Sequence, residues 1–145
     1  LVINMKQFIL IIAIAFVSFT STAQNVFGKW KTIDDVSGEA KSIIDIYERD
    51  GKVYGKVTQI LTEGREDSVC TECDGEDKGK PILGLEIIRG LEKDGDVYED
   101  GEILDPENGK RYKCYIELVE NNKLKVRGYI GFSLLGRTQY WYRVK

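Results

Sequence analysis

From residue 24 onward the chain alternates. Apolar and polar side chains exchange with a period of two in eight runs, each rich in β-branched or aromatic residues and closed by turn residues. The runs are Phe27–Ile33, Lys41–Arg49, Lys52–Leu61, Gly84–Leu91, Asp96–Leu104, Lys110–Val119, Lys123–Ile130 and Arg137–Val144. No stretch after Gln24 sustains a helical period. Parity assigns the faces. Ile44 and Ile46 lie on one side of the second run, and Val53, Gly55, Val57 and Leu61 on one side of the third. Tyr112, Cys114, Ile116 and Leu118 oppose Arg111, Lys113 and Glu117, and Leu124 and Val126 oppose Lys123, Lys125 and Arg127. Apolar against charged is what a half-buried strand requires.

The punctuation between runs predicts hairpins. Asp50-Gly51, Asp94-Gly95 and Asn121-Asn122 tolerate the positive φ that tight two-residue turns demand, and Pro106–Gly109 join the fifth and sixth runs. Asp50-Gly51-Lys52-Val53-Tyr54 echoes Asp94-Gly95-Asp96-Val97-Tyr98, as two similar hairpins would. Successive runs joined by short turns form an antiparallel meander. An open meander leaves two unpaired edges, so the expected architecture is an all-β, up-and-down eight-stranded barrel, with a two-sheet β-sandwich as the alternative. Two connections break the pattern. Thr62–Lys80 is long, acid-rich and carries two cysteines, and Gly131–Gly136 is apolar, with Phe132, Leu134 and Leu135.

The N-terminus reads differently. Lys6 precedes ten unbroken apolar residues, Phe8–Val17, and then the small residues Ser21-Thr22-Ala23. This is the layout of a secretory signal peptide, expected over 1–23 with cleavage after Ala23; residues 1–4 precede Met5 and read as lying upstream of the true start. The apolar run is too short for a membrane helix, which takes about 20 residues. What remains, 24–145, is a single domain carrying a net charge of −4, with signs scattered and no footprint for nucleic acid. The expected location is the periplasm or the exterior, where three cysteines meet an oxidising environment.

Gly28-Lys29-Trp30 on the first strand, with Arg143 on the last, resembles the G-x-W signature of the lipocalin, fatty-acid-binding and avidin barrels. The segments GKWKTIDD (Gly28–Asp35), GKPILGLEII (Gly79–Ile88), GEILDPENGKRY (Gly101–Tyr112) and VRGYIGFSLLGRTQYWYRV (Val126–Val144) resemble the bacterial domain-of-unknown-function family 2147. That resemblance implies a signal peptide and a lipocalin-like barrel. It implies no activity, substrate or catalytic residue. In such barrels a basic residue of the last strand packs across the Trp, a barrel-closing role that would fall here to Gly28, Trp30 and Arg143.

Candidate chemistry is sparse. The chain has no histidine, which removes the commonest general base and metal ligand and excludes Ser-His-Asp and Cys-His triads, so no enzyme and no cofactor is expected. Asp105 is the best placed carboxylate, but Asp105-Pro106 followed by Gly109 reads as a turn. Cys70 and Cys73 form a C-x-x-C pair read first as a structural disulfide; zinc with Glu72, Asp74 or Asp77 is the lesser reading, and the acidic surroundings disfavour a redox motif. Cys114 reads as a buried hydrophobe. On the last strand Arg137, Gln139, Trp141 and Arg143 share a face. Together with Trp30, Tyr112, Arg127, Tyr129, Phe132, Leu134 and Leu135, the residues Arg137, Gln139 and Trp141 are the candidate ligand-binding set. The apolar turn is expected to line or cover the barrel mouth, as a plug, a gate or a partner patch. The expected function is binding of a small apolar or amphipathic ligand; the alternative is a filled barrel that serves a cell-envelope partner.

Overall fold

The computed structural model describes residues 24–145; the segment read as a signal peptide, 1–23, lies outside the described residues. Eight antiparallel strands follow one another around a closed barrel. They are β1 (Gly28–Ile33), β2 (Ala40–Arg49), β3 (Lys52–Ile60), β4 (Glu86–Asp94), β5 (Val97–Asp105), β6 (Lys110–Glu120), β7 (Lys123–Tyr129) and β8 (Gly136–Arg143), with one 3-10 turn at Gly75–Asp77. Each strand pairs with its sequence neighbour, and β8 returns to β1 through Trp30 opposite Arg143 and Lys31 opposite Tyr142. The barrel takes the place of the sandwich because no edge is left to cover.

Two-residue turns close one end. Asp50 and Gly51 both have positive φ, as the alternation around Asp-Gly leads one to expect. Asn121 and Asn122 do not. Their hairpin instead carries a bulge, because Leu118 pairs with Leu124 and Glu120 with Lys123, leaving Val119 over. The bulge supplies the twist that a primed turn would have supplied. Bulges also break the simple parity elsewhere. Ile44 pairs with Val57 but Ile43 with Gln59, so Thr58 is extra and Ile60, beside Leu61, continues the inward row of β3. Strand β4 runs from Glu86 to Asp94 instead of Gly84 to Leu91, and Ile87 and Ile88 are both buried because β4 is irregular where it meets β3.

The closed end is packed solid. Trp30 is fully buried among Ile44, Ile46, Val53, Leu91, Ile116 and Leu124. Its indole N–H donates to the Val26 carbonyl at 2.8 Å, which folds residues 25–27 beneath the barrel. The Arg143 guanidinium lies 4.3 Å over the Trp30 ring. It also donates to the carbonyls of Phe27 (2.9 Å), Asn25 (2.7 Å) and Asn121 (3.0 Å). Burial pulls its pKa below the ordinary arginine value.

At the other end the long β3–β4 connection folds down over the outside of β4, β5 and β6. Cys70 and Cys73 are joined by a disulfide and buried. Asp77, only 3 % exposed, receives Arg89 of β4 at 2.9 Å, Arg111 of β6, and Lys80 at 3.6 Å. Arg111 continues to Glu102 of β5 at 2.9 Å. Burial works to raise the Asp77 pKa, but the hydrogen bond from Arg89 and the charges of Arg89, Arg111 and Lys80 outweigh it and hold it below the usual carboxylate value.

Two outcomes are expected. Trp30→Ala should cost about 3–5 kcal/mol, read as a fall in the urea midpoint; an unchanged midpoint would contradict the packed end. For Asp77 the folded pKa lies below the unfolded one, so its contribution is present above the ordinary carboxylate range and disappears as pH falls through the folded value. Asp77→Asn should therefore lose about 1.5–3 kcal/mol near neutrality. That gap to the parent should narrow below about pH 4. A gap constant with pH would contradict the ion cluster.

Candidate functional site

The mouth end is hollow. A cavity of about 900 Å³ opens between the β1–β2, β3–β4, β5–β6 and β7–β8 connections. That volume lies within the range of about 300–1,000 Å³ used by small-molecule sites. Its wall is apolar: Ile44 from β2, Val57 and Ile60 from β3, Ile103 from β5, Val126 from β7 and Trp141 from β8, with Ile82 from the long connection. Trp141 is almost completely buried, and its indole N–H donates to the Gln139 side-chain oxygen at 3.3 Å.

Side-chain size decides which half is hollow. A Cβ built on Gly128 would meet only Ile103 at 3.4 Å and Tyr112 at 3.5 Å, ordinary contacts that leave the space beyond them free. Val57 and Val126 are equally short neighbours. Gly55 differs. Ile44 and Ile88 close to 3.2 Å of where its Cβ would stand, so that glycine is filled over and adds nothing to the cavity.

Polar groups gather at the rim. Lys41 is the extra residue of a bulge in β2, since Ser42 pairs with Thr32 and Ala40 with Ile33. The bulge turns its ammonium to the rim, where it pairs with Asp34 at 3.7 Å and with Glu107 of the β5–β6 turn. Arg137 pairs with Asp35 across the β8–β1 side, and Gln139 reaches the same carboxylate at 3.4 Å. Backbone N–H groups of Ser37 and Val36 hold the Asp34 carboxyl below its ordinary pKa. Deeper, the hydroxyls of Thr32 and Ser42 share a 2.8 Å hydrogen bond, and at the rim the Asn108 amide donates to the Tyr112 hydroxyl at 3.1 Å.

The β5–β6 turn is fixed from outside. Asp105 accepts the Glu107 N–H at 2.9 Å, and the Gly109 N–H closes onto the Asp105 carbonyl at 2.8 Å. The Pro106 carbonyl lies 3.6 Å from the Cys70 sulfur. Gly109 has a φ of 71°, and a Cβ there would stand 1.9 Å from the Glu72 carbonyl oxygen. Only glycine lets the turn press against the disulfide loop. The carboxylate of Asp105 is thus occupied in its turn.

Of the residues singled out by pattern, Tyr112, Tyr129, Leu135, Arg137, Gln139 and Trp141 line the cavity. Four do not. Trp30 belongs to the sealed end. Arg127 points outward, as the inward Val126 beside it requires, and donates to the Ser133 carbonyl at 2.7 Å and the Thr138 hydroxyl at 2.8 Å. Phe132 and Leu134 stand out in solvent at the tip of the β7–β8 hairpin, Leu134 with 82 % of its surface exposed. Hydrogen bonds from the Ile130 N–H to the Leu135 carbonyl (3.0 Å) and from the Leu135 N–H to the Phe132 carbonyl (3.1 Å) extend the hairpin past the rim instead of folding it over the opening. Pattern reading missed Lys41 and Asp35, whose partners lie far away in sequence, and Ile60, which a bulge turns inward. Cys114 is buried in the packed core, and burial pushes its thiol pKa up to about 12, so it is not a nucleophile at neutral pH. Among the described residues, no three of His, Cys, Asp and Glu converge as a metal site would need.

Among solved structures, the chain is similar to protein HP1028 from the human pathogen Helicobacter pylori, described as belonging to the lipocalin family. The two share 17 % identity over 85 % of each chain, with a TM-score of 0.75. At that identity the likeness speaks for the fold, which is lipocalin-like. No curated protein matches the chain. The family model for an uncharacterized protein conserved in bacteria matches residues 28–143, from the first strand to the last. The chain therefore belongs to the bacterial domain-of-unknown-function family 2147, built on a lipocalin-like barrel.

Proposed function

We propose that this chain is an exported binding module whose barrel takes one small apolar or amphipathic molecule, its tail in the lumen and its polar end at the rim. The observation that carries the reading is the 900 Å³ cavity with an apolar wall beneath a rim of charged side chains. Apolar burial supplies affinity and the rim supplies orientation. Export is supported by the signal-like N-terminus and by a disulfide placed where it holds a rim turn. A binding role is favoured over catalysis because the chain has no histidine and its cysteines are bridged or buried away from the lumen. The filled-barrel alternative, an envelope partner without a small ligand, is weakened by the open half of the lumen.

The test is a fluorescence titration with N-phenyl-1-naphthylamine, a neutral apolar probe, followed by competition with aliphatic amphiphiles of matched length and opposite head charge. Emission should rise on binding, with energy transfer from Trp141. Gly128→Leu places a side chain into the lumen with only ordinary contacts at its Cβ. It should weaken binding by roughly tenfold or more while leaving the thermal midpoint nearly unchanged. Absence of enhancement in the parent, or equal binding by Gly128→Leu, would contradict the lumen as the site.

A further inference from the structure

The β7–β8 hairpin has two properties that the lumen does not use. Residues 125–137 contain three lysines and arginines (Lys125, Arg127 and Arg137) and no acid, although the 24–145 segment is net negative. The tip is also bare of cover: Ile130, Phe132, Leu134 and Leu135 are all more than half exposed within six residues. Val36, on the β1–β2 connection at the same end of the barrel, is exposed as well, and the Arg137–Asp35 pair ties these two connections together.

Cations and aromatic rings flank this tip. Lys113 donates to the Gly131 carbonyl at 3.4 Å and Arg127 to the Ser133 carbonyl, so both charges sit at the base of the turn. Further down the outer face, toward the sealed end, Lys125 lies 5.5 Å from the Tyr115 ring. Glu102 stands opposite Lys113 and Glu117 opposite Lys125 in the register, and Asp35 neutralises Arg137. Among the described residues no carboxylate comes within ion-pair distance of Lys113, Lys123, Lys125 or Arg127.

We propose that the β7–β8 hairpin docks the barrel on an anionic lipid bilayer, with Phe132, Leu134 and Leu135 entering the headgroup boundary and Lys113, Lys125 and Arg127 facing lipid phosphates. An apolar protrusion set in a collar of Lys, Arg and Tyr is the pattern of a surface-bound membrane anchor. A second copy of this chain fits less well. A stable interface takes about 800 Å² from each partner, more than a six-residue turn presents, and pairing two such hairpins would oppose like charges. A bilayer needs only the protrusion. Leu135 belongs both to the tip and to the cavity lining, so docking would bring the mouth to the lipid. The proposal stands whether or not the lumen holds a ligand.

Residues 24–145 form the closed barrel and carry the core described around Trp30, so that segment serves for the test and avoids the apolar N-terminus. Sedimentation with vesicles of phosphatidylglycerol and phosphatidylethanolamine is compared with vesicles of phosphatidylcholine alone. Binding to the anionic vesicles should be stronger by about tenfold or more and should fall in about 0.5 M NaCl. Leu134→Ser with Leu135→Ser should lose about tenfold in partitioning, with an unchanged thermal midpoint because both side chains are exposed. Lys113→Gln with Lys125→Gln should weaken only the anionic binding. Phe132→Trp gives an independent readout, a blue shift on adding anionic vesicles, since Trp30 and Trp141 are buried. No vesicle binding, binding indifferent to lipid charge, or full binding by the double serine variant would overturn the proposal. So would self-association of the parent in sedimentation velocity that the serine variant abolishes, which would make the tip a contact between copies.

Discussion

Closure of this barrel rests on one stacked pair. Among the described residues the β1–β8 seam is joined at Trp30 opposite Arg143 and Lys31 opposite Tyr142, with one further hydrogen bond from the Val144 N–H to the Lys29 carbonyl. Every other neighbouring pair of strands shares a longer ladder apart from the irregular β3–β4 junction. Side chains must therefore supply what the backbone does not. The Trp30 ring fills the floor, and the Arg143 guanidinium covers it while collecting carbonyls from the N-terminal segment and the β6–β7 turn. A cation over an aromatic face, with its remaining N–H groups satisfied, tolerates partial burial that an unpaired charge would not.

A sealed and solid floor frees the other end to be open. The core at the closed end holds the large side chains, and the mouth half places Gly128, Val57 and Val126 where larger residues would fill it. A hollow barrel needs its rim held from outside. Here the long β3–β4 connection does so: the Asp77 cluster fastens it to β4 and β6, and its disulfide loop meets the Gly109 turn with no room for a side chain. The disulfide thus acts on the rim through a neighbouring turn, at some distance from the lumen itself.

Much of this was legible in the chain. Alternation around Ile44–Ile46 and Tyr112–Leu118 marked the strands and their inward faces, and Asp50-Gly51 marked a hairpin. A meander with no uncovered edge pointed to closure. The errors have a common cause, which is that bulges and long-range pairs leave little local trace. One extra residue at Thr58 brought Ile60 to the lumen beside Leu61, and irregular pairing in β4 buried both Ile87 and Ile88. Lys41 reaches Glu107 only because a bulge re-aims it, and Asp35 finds Arg137 across the seam between the first and last strands. The outward position of Arg127 follows from its alternation with Val126, which is at odds with placing it in the ligand-binding set. The projecting tip at Phe132 and Leu134 could not be read from the pattern, because an apolar turn looks the same whether it folds over a mouth or stands clear of it.

A short seam, locked by Trp30 and Arg143, thus closes a barrel that is solid at one end and hollow at the other. Native-state hydrogen exchange tests it most directly. The amides of Lys31 and Val144, which lie at the seam, should exchange only through global unfolding, as slowly as the central strands, while the β7–β8 tip and the β1–β2 connection exchange by local opening. Rapid exchange at the seam, at the low opening free energy of a frayed edge strand, would contradict closure and with it the sealed floor on which the hollow half depends.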